Sequence, residues 1–413
     1  MAHATARRYR GARVRAVGAG VVLALGCAAC GPGHAAIGPP SSSAPASTSA
    51  TTSPPVSSTP TASASCAERV LSGMSEAQRA GQLFALGLAA DRLDATTAAA
   101  IRADHFGTVW FVQKSSAGAA GIRSVSDAVQ ALATTSATAG VGFYVAANQE
   151  GGIIQSLTGP GFSTIPSAAS QGTLNPSTLQ ADAARWGRQL KAAGVNLNFA
   201  PVMDVVPPGT DAENQPIGVL KRGYGHDPAT VAEHGVAFLQ GMQSAGVATT
   251  AKHFPGLGRV VGNTDFTAGV VDRVTTRDDP SLASFAAAVS AHVPFVMVAL
   301  ATYTKIDPDH LAVFSPIVIQ QMLRGDLGFN GVVISDDMGA AVAVATIPPA
   351  DRAVDFLLAG GDMIISKTLG PAEAMDRAVV ARAAGDPSFR RLVDAAALRV
   401  LRVKQASGLP PCG

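Results

Sequence analysis

The chain has 413 residues, enough for one large domain or two ordinary ones, and 47% of it is apolar, so a sizeable core can form. Its formal charge of +2 misleads: Arg7, Arg8, Arg10, Arg13 and Arg15 crowd the N-terminus without an acid among them, and the remainder carries −3. That balance implies no basic face for nucleic acid.

In chain order, the arginine-rich start is followed by AVGAGVVLALG, too short to cross a bilayer as a helix, and then by Cys27. The segment ALGC resembles a bacterial lipoprotein box, which makes residues 1–26 a signal peptide and Cys27 the lipidated new N-terminus. Cys30, in CAAC, is the weaker candidate because no branched apolar residue stands three places before it; a plain secretory signal is the alternative. Residues 27–65 include SSSAPASTSATTSPPVSSTPTASAS, which has almost no apolar bulk and many prolines. It cannot offset the entropy of ordering and is expected to form an extended stalk. The expected location is therefore the outer face of a bacterial cell membrane, reached by export and held by a lipid anchor.

Cys66 and Cys412 bracket the rest, which is expected to form the folded domain over residues 66–413. In an exported protein such a pair reads as a disulfide closing a very long loop, with two free buried thiols as the alternative. Between them short apolar runs alternate with Ala-rich, helix-compatible stretches. The predicted strands are GQLFALGL, GTVWFV, GFYVAAN, NLNFAPVMD, ATTAKHF, FVMVAL, GVVISDD and DMIIS. Segments such as LQADAARWGRQLKAAG and PATVAEHGVAFLQGMQSAG are apolar at helical spacing and closed by glycine. Continuous apolar strands alternating with helices argue for a parallel sheet covered on both faces. Eight of them over roughly 350 residues predict a single (β/α)8 TIM-type barrel, with a doubly wound open sheet as the alternative.

Polar residues fall at the ends of these runs. Asn148, Gln149 and Glu150 follow GFYVAA, Asp204 follows FAPVM, Lys252 and His253 follow ATTA, Asp336 and Asp337 follow GVVIS, and Asp362 opens DMIIS. A lone Asp is more often a satisfied structural carboxylate. Several polar strand ends converging on one face predict a binding cleft, because barrel enzymes assemble their sites there.

ANQEGG, NFAPVMD, KRGYGHDP, AKHFPGLG, LRGDLGFNGVVISDDM and AGGDM occur in the order seen in family 3 glycoside hydrolases. The chain resembles the single-domain β-N-acetylglucosaminidases of that family, which trim peptidoglycan fragments. The resemblance implies a barrel, retaining hydrolysis, a carbohydrate substrate, and neither metal nor cofactor. It places the nucleophile at Asp336, with Asp337 as the rival carboxylate. Lys252 and His253 match a pair that hydrogen-bonds sugar hydroxyls, and Arg222 matches an arginine that contacts the sugar. Asp204 is expected on the floor of the site, as a substrate contact or as a brace.

The chain also departs from the pattern. Where the relatives carry an aspartate that grips a sugar hydroxyl, Asn148 stands here, without the charge. Ser156 replaces an arginine. In the loop after KHFPG the relatives carry a histidine, held by an aspartate, as general acid and base. Counted from Gly258, the three positions are Asn263, Thr264 and Asp265, so the histidine has become Asp265 and its partner Asn263. An aspartic acid can do this work if burial or the Asp336 charge raises its pKa. The alternatives are Asp272 as proton donor, or a site that has lost its acid and binds sugar without turnover. A second carboxylate would repel phosphate in the deglycosylation step, so water is the expected acceptor. Glycines around Gly262 would permit the loop to close over a substrate.

Three readings follow: an exported, lipid-anchored exo-β-N-acetylglucosaminidase; a β-glucosidase or β-xylosidase of the same broad family; or a degenerate sugar-binding lipoprotein. KHFPG fits the first better than the second, and a retained Asp336 is pointless in the third. No exposed apolar heptad suggests a coiled coil, and a monomer is expected.

Overall fold

The computed structural model describes residues 64–89 and 92–412; the expected signal peptide, the lipidation at Cys27 and the stalk up to residue 63 lie outside them. Eight strands match the eight predicted runs: β1 (Phe84–Leu88), β2 (Thr108–Phe111), β3 (Tyr144–Ala147), β4 (Leu197–Asn198), β5 (Ala248–Phe254), β6 (Phe295–Val298), β7 (Val332–Asp337) and β8 (Met363–Ser366). They form a closed barrel in sequential order, every pairing parallel. Closure is made by β1, which pairs with β2 on one side (Ala85 opposite Thr108) and β8 on the other (Phe84 opposite Ile364). The fold is a (β/α)8 barrel, and the open-sheet alternative is excluded. β1, β2, β3, β6 and β8 are buried at every residue, as strands enclosed on both faces must be.

The surrounding helices start and stop on local chemistry. Helices Pro176–Ala192, Pro228–Ser244 and Pro387–Ala406 each begin with a proline preceded by Asn175, Asp227 or Asp386, whose side chains accept backbone N–H groups of the first turn. Those groups have no partner inside the helix, and the proline ring is already set at helical φ. The first two end at Gly194 (φ 77°) and Gly246 (φ 76°), left-handed positions where a side chain would be strained.

The N-terminal mouth of the barrel is sealed from below. Lys404, in helix Pro387–Ala406, is fully buried and its Nζ donates to Gln82 Oε1 (2.8 Å), Gly107 O (2.7 Å) and Gly142 O (3.1 Å), all just before β1, β2 or β3. Asp362 belongs to the same end: it is buried between Arg324 and Arg399 and accepts from the Val333 N–H, so it is a structural acid and not part of the cleft. The Cys66–Cys412 disulfide is present, with Cα atoms 6.1 Å apart, and ties helix Cys66–Gly73 to the tail as expected. The opposite, C-terminal mouth is left open for the loops that follow the strands.

Candidate active site

A pocket of about 250 Å³ opens at that mouth, lined by Asn148, Arg222, Lys252, His253, Asp265 and Asp336 among others. Six of the seven residues expected to contact substrate or do chemistry therefore meet in one place. Trp110 and Phe199, in edge contact with ring centroids 5.9 Å apart, and Met297 supply apolar lining.

Behind the pocket lies Glu150, which follows β3 and is 4% exposed. Arg222 grips it with two parallel bonds, Nε to Oε2 at 2.8 Å and Nη2 to Oε1 at 2.7 Å, and Lys252 Nζ lies 2.6 Å from Oε1. Burial alone would raise the Glu150 pKa, but the two cations outweigh it and hold the carboxyl down at about 2. Gly151 makes the turn possible: it sits at φ 112°, and a Cβ there would fall 2.1 Å from Pro166 O. Lys252 Nζ also donates to Asn148 Oδ1 at 2.9 Å, which leaves the third ammonium proton for a ligand.

His253 sits beside Lys252 at the end of β5, with its Nδ1 2.8 Å from Asp204 Oδ2. With Nδ1–H donating to that carboxylate, Nε2 is the nitrogen left for a substrate hydroxyl. Asp204 itself is fully buried behind the histidine and also accepts the N–H groups of His253 (3.1 Å) and Leu257 (2.8 Å). Its expected place among the substrate contacts is corrected: it is the brace that orients His253.

Two neighbouring acids at the tip of β7 have different surroundings. Asp337 is buried, and its Oδ1 accepts the N–H groups of Gly339 and Lys367, both at 2.9 Å. These bonds tie the β7 loop to the end of β8, and burial pushes its pKa up. Asp336 is half-buried at the pocket wall, and its Oδ1 accepts the Asp337 N–H at 2.8 Å. The arrangement favours Asp336 as the reactive carboxylate and Asp337 as its support.

Asp265 comes in from the loop after β5. Asn263 Oδ1 accepts the Asp265 N–H at 3.0 Å, and Val342 N–H and Ala343 N–H donate to the carbonyls of Asp265 (3.2 Å) and Thr264 (3.1 Å), docking this loop on the one after β7. Burial raises the Asp265 pKa, and the Asp336 charge raises it further against the smaller opposing pull of Lys367, Arg222 and His253. The rival donor is elsewhere: Asp272 is buried, its oxygens accept from Val274 N–H, Thr275 N–H and the Thr275 hydroxyl at 2.7–2.8 Å, and it does not line the pocket. Ser156 is likewise buried outside the pocket, its N–H bonded to Asn148 O.

A family model described as the Glycosyl hydrolase family 3 N terminal domain matches residues 76–403. The chain belongs to glycosyl hydrolase family 3. It is 50% identical to a solved beta-N-acetylhexosaminidase from Beutenbergia cavernae DSM 12333, with a TM-score of 0.79 over 80% of this chain and 99% of that one. A family 3 beta-N-acetylglucosaminidase from Paenibacillus sp. str. FPU-7 is 27% identical, with a TM-score of 0.73 over 82% of this chain and 64% of that one. A Beta-hexosaminidase of Stenotrophomonas maltophilia (strain K279a) is 35% identical over 232 residues, which cover 54% of this chain and 66% of the relative, a little under two thirds of its length.

Two residues at or behind the pocket of this family 3 barrel, Glu150 and Lys367, carried no role in the sequence reading. Glu150 was visible as a polar strand-end residue, but its worth lies in Arg222, 72 residues on. Lys367 follows β8 directly, and the strand-end rule that picked out Lys252 would have found it.

Proposed function

We propose that this family 3 protein is a retaining exo-β-N-acetylglucosaminidase that removes terminal β-linked GlcNAc from peptidoglycan-derived fragments. It works as a monomer outside the cell membrane, held there by a lipid on Cys27. The supporting observation is one pocket that brings Asp336 and Asp265 together, with the Asp265 pKa raised by burial and by the Asp336 charge. In the first step Asp336 attacks the anomeric carbon while Asp265 gives its proton to the departing glycosidic oxygen, forming a glycosyl-enzyme ester. In the second, the Asp265 carboxylate takes a proton from water, the water oxygen attacks the anomeric carbon, and Asp336 leaves. Arg222, Lys252, His253 and Asn148 hold the sugar hydroxyls. The preference for an N-acetyl sugar is supported by the names of the Beutenbergia and Paenibacillus proteins.

The test is hydrolysis of aryl β-N-acetylglucosaminides by the wild type, Asp265→Asn and Asp336→Asn, with leaving groups of high and low pKa. Asp336→Asn should be inactive on both. Asp265→Asn should lose about 10²- to 10⁴-fold on the poor leaving group and little on the good one. The wild-type rate should fall on the alkaline side as Asp265 loses its proton, above the ordinary aspartate range, and Asp265→Asn should lack that limb. An Asp265→Asn enzyme unimpaired on both substrates refutes the assignment.

A further inference from the structure

A second cavity, of about 740 Å³, lies beside the segment that carries Arg222 and shares no lining residue with the barrel-mouth pocket. Its volume is in the range of ordinary small-molecule sites. Lys221 and Arg222 are neighbours in sequence, yet Arg222 lines the barrel-mouth pocket and Lys221 lines this one. The chain turns through Lys221 itself, whose φ of 55° is left-handed, a conformation that glycine adopts freely and a side chain strains. Lys221 is exposed, and no ion pair joins it to an acid among the described residues.

Asp211 and His226 line the same cavity, and their pairing is incomplete. The His226 Nδ1 lies 3.1 Å from Val206 O, and a carbonyl only accepts, so Nδ1 carries the proton. In the neutral ring Nε2 is then an acceptor, and it faces another acceptor, Asp211 Oδ2, at 3.5 Å. Two such atoms are satisfied together by a group that donates to both, and an ammonium does this. Lys221 offers the opposite chemistry, a charge for a carboxylate. An anion alone would meet Asp211 and a cation alone would meet Lys221. An uncharged ligand would strip water from both charges and return nothing. Ala169, Val206 and Tyr224 add apolar wall.

We propose that this cavity binds a short free peptide as a zwitterion. Its N-terminal ammonium sits between Asp211 and His226, its C-terminal carboxylate pairs with Lys221, and small apolar side chains lie against Ala169 and Val206. The site is separate from the one proposed to cleave sugars, and its test does not depend on that activity.

The probe is trialanine, with trialanine amide and N-acetyl-trialanine as forms that each lack one end charge, titrated into the full chain and followed by NMR. The wild type should bind trialanine with a Kd of about 1 mM and each blocked form about fivefold more weakly. Lys221→Met should lower trialanine binding to the level of the amide and leave the amide unchanged, which also shows that the variant is folded. Asp211→Asn should do the same with respect to the N-acetyl form. The proposal is overturned if the wild type binds none of the three, if it binds trialanine and its amide equally, or if trialanine binding survives both substitutions.

Discussion

Replacing Glu150 by Gln keeps the shape of the side chain and removes the charge that two buried cations share. In the folded protein its carboxyl lies at about 2 against an ordinary 4.5, although burial opposes ionisation. Each unit is worth about 1.4 kcal/mol, so the network favours the carboxylate over a neutral group by about 3 kcal/mol. Glu150→Gln should therefore destabilise the fold by about that much, since Arg222 and Lys252 would be left as adjacent, uncompensated buried cations. The pH dependence has a definite sign. A depressed carboxylate contributes stability that is complete above about 4.5 and is lost as pH falls toward about 2. Guanidinium unfolding of both proteins should thus show the full gap at pH 6 and a smaller one on acidification. KM for an N-acetylglucosaminide should rise as well, because the anchor that aims Lys252 and Arg222 is gone. Equal stabilities at pH 6, or a gap that widens in acid, would refute the reasoning.

The fate of the glycosyl-enzyme should be insensitive to phosphate. With a carboxylate at Asp265 as well as the newly freed Asp336, product analysis in phosphate buffer should give free sugar, and abundant sugar 1-phosphate would overturn this. A second prediction lies outside the site, at Asp376 in helix Leu369–Gly385, which is buried with Oδ1 unpartnered among the described residues. Burial, helped by Asp104, pushes its pKa up to about 8, so its contribution to stability is complete below the unfolded value and is lost as pH rises through about 8. Asp376→Asn should gain on the wild type between pH 5 and pH 9, by about 4 kcal/mol at the upper end, and thermal unfolding across that range checks it.

All eight strands could be read from the sequence because their apolar runs are short and most are entered or left through glycine. The β4 run was read too long, and the reason is Pro201. It has no N–H to give, so regular strand stops at Asn198, although Thr250 and Lys252 still donate to the carbonyls of Ala200 and Pro201. The small excursions beyond the barrel, Gln149–Gly151 with Ile154–Gln155 and the three-stranded Val271–Asp272, Thr302–Tyr303 and Asp307–Leu311, were not legible, being too short and polar to carry a period. Within the site, Asp336, Lys252 and His253 showed themselves by standing at strand ends. Asp204 stood there too, but only burial distinguishes a brace from a contact, and burial is set by residues far away in sequence. Glu150 was hidden for the same reason, since its partners come from two other parts of the barrel.

Asn263 and Asp265 are best understood as one change. The resemblance puts an aspartate and the histidine it holds at these positions in the relatives, where the carboxylate supports a neutral base. An aspartate kept beside Asp265 would instead be a third acid near Asp336, and like charges in a half-buried loop raise one another's proton affinity. Asparagine accepts the Asp265 N–H at 3.0 Å and so shapes the turn without adding charge. Asn263→Asp tests this, because Asp can make the same turn and differs mainly in charge. The pKa of Asp265, already raised by burial and by Asp336, should climb further, and the alkaline limb of kcat/KM should move to higher pH with it. The acid would then hold its proton more tightly, so poor leaving groups should suffer more than good ones. A limb that stays in place would mean that residue 263 does not sense the acid, and that Asn263 matters only for the shape of the loop.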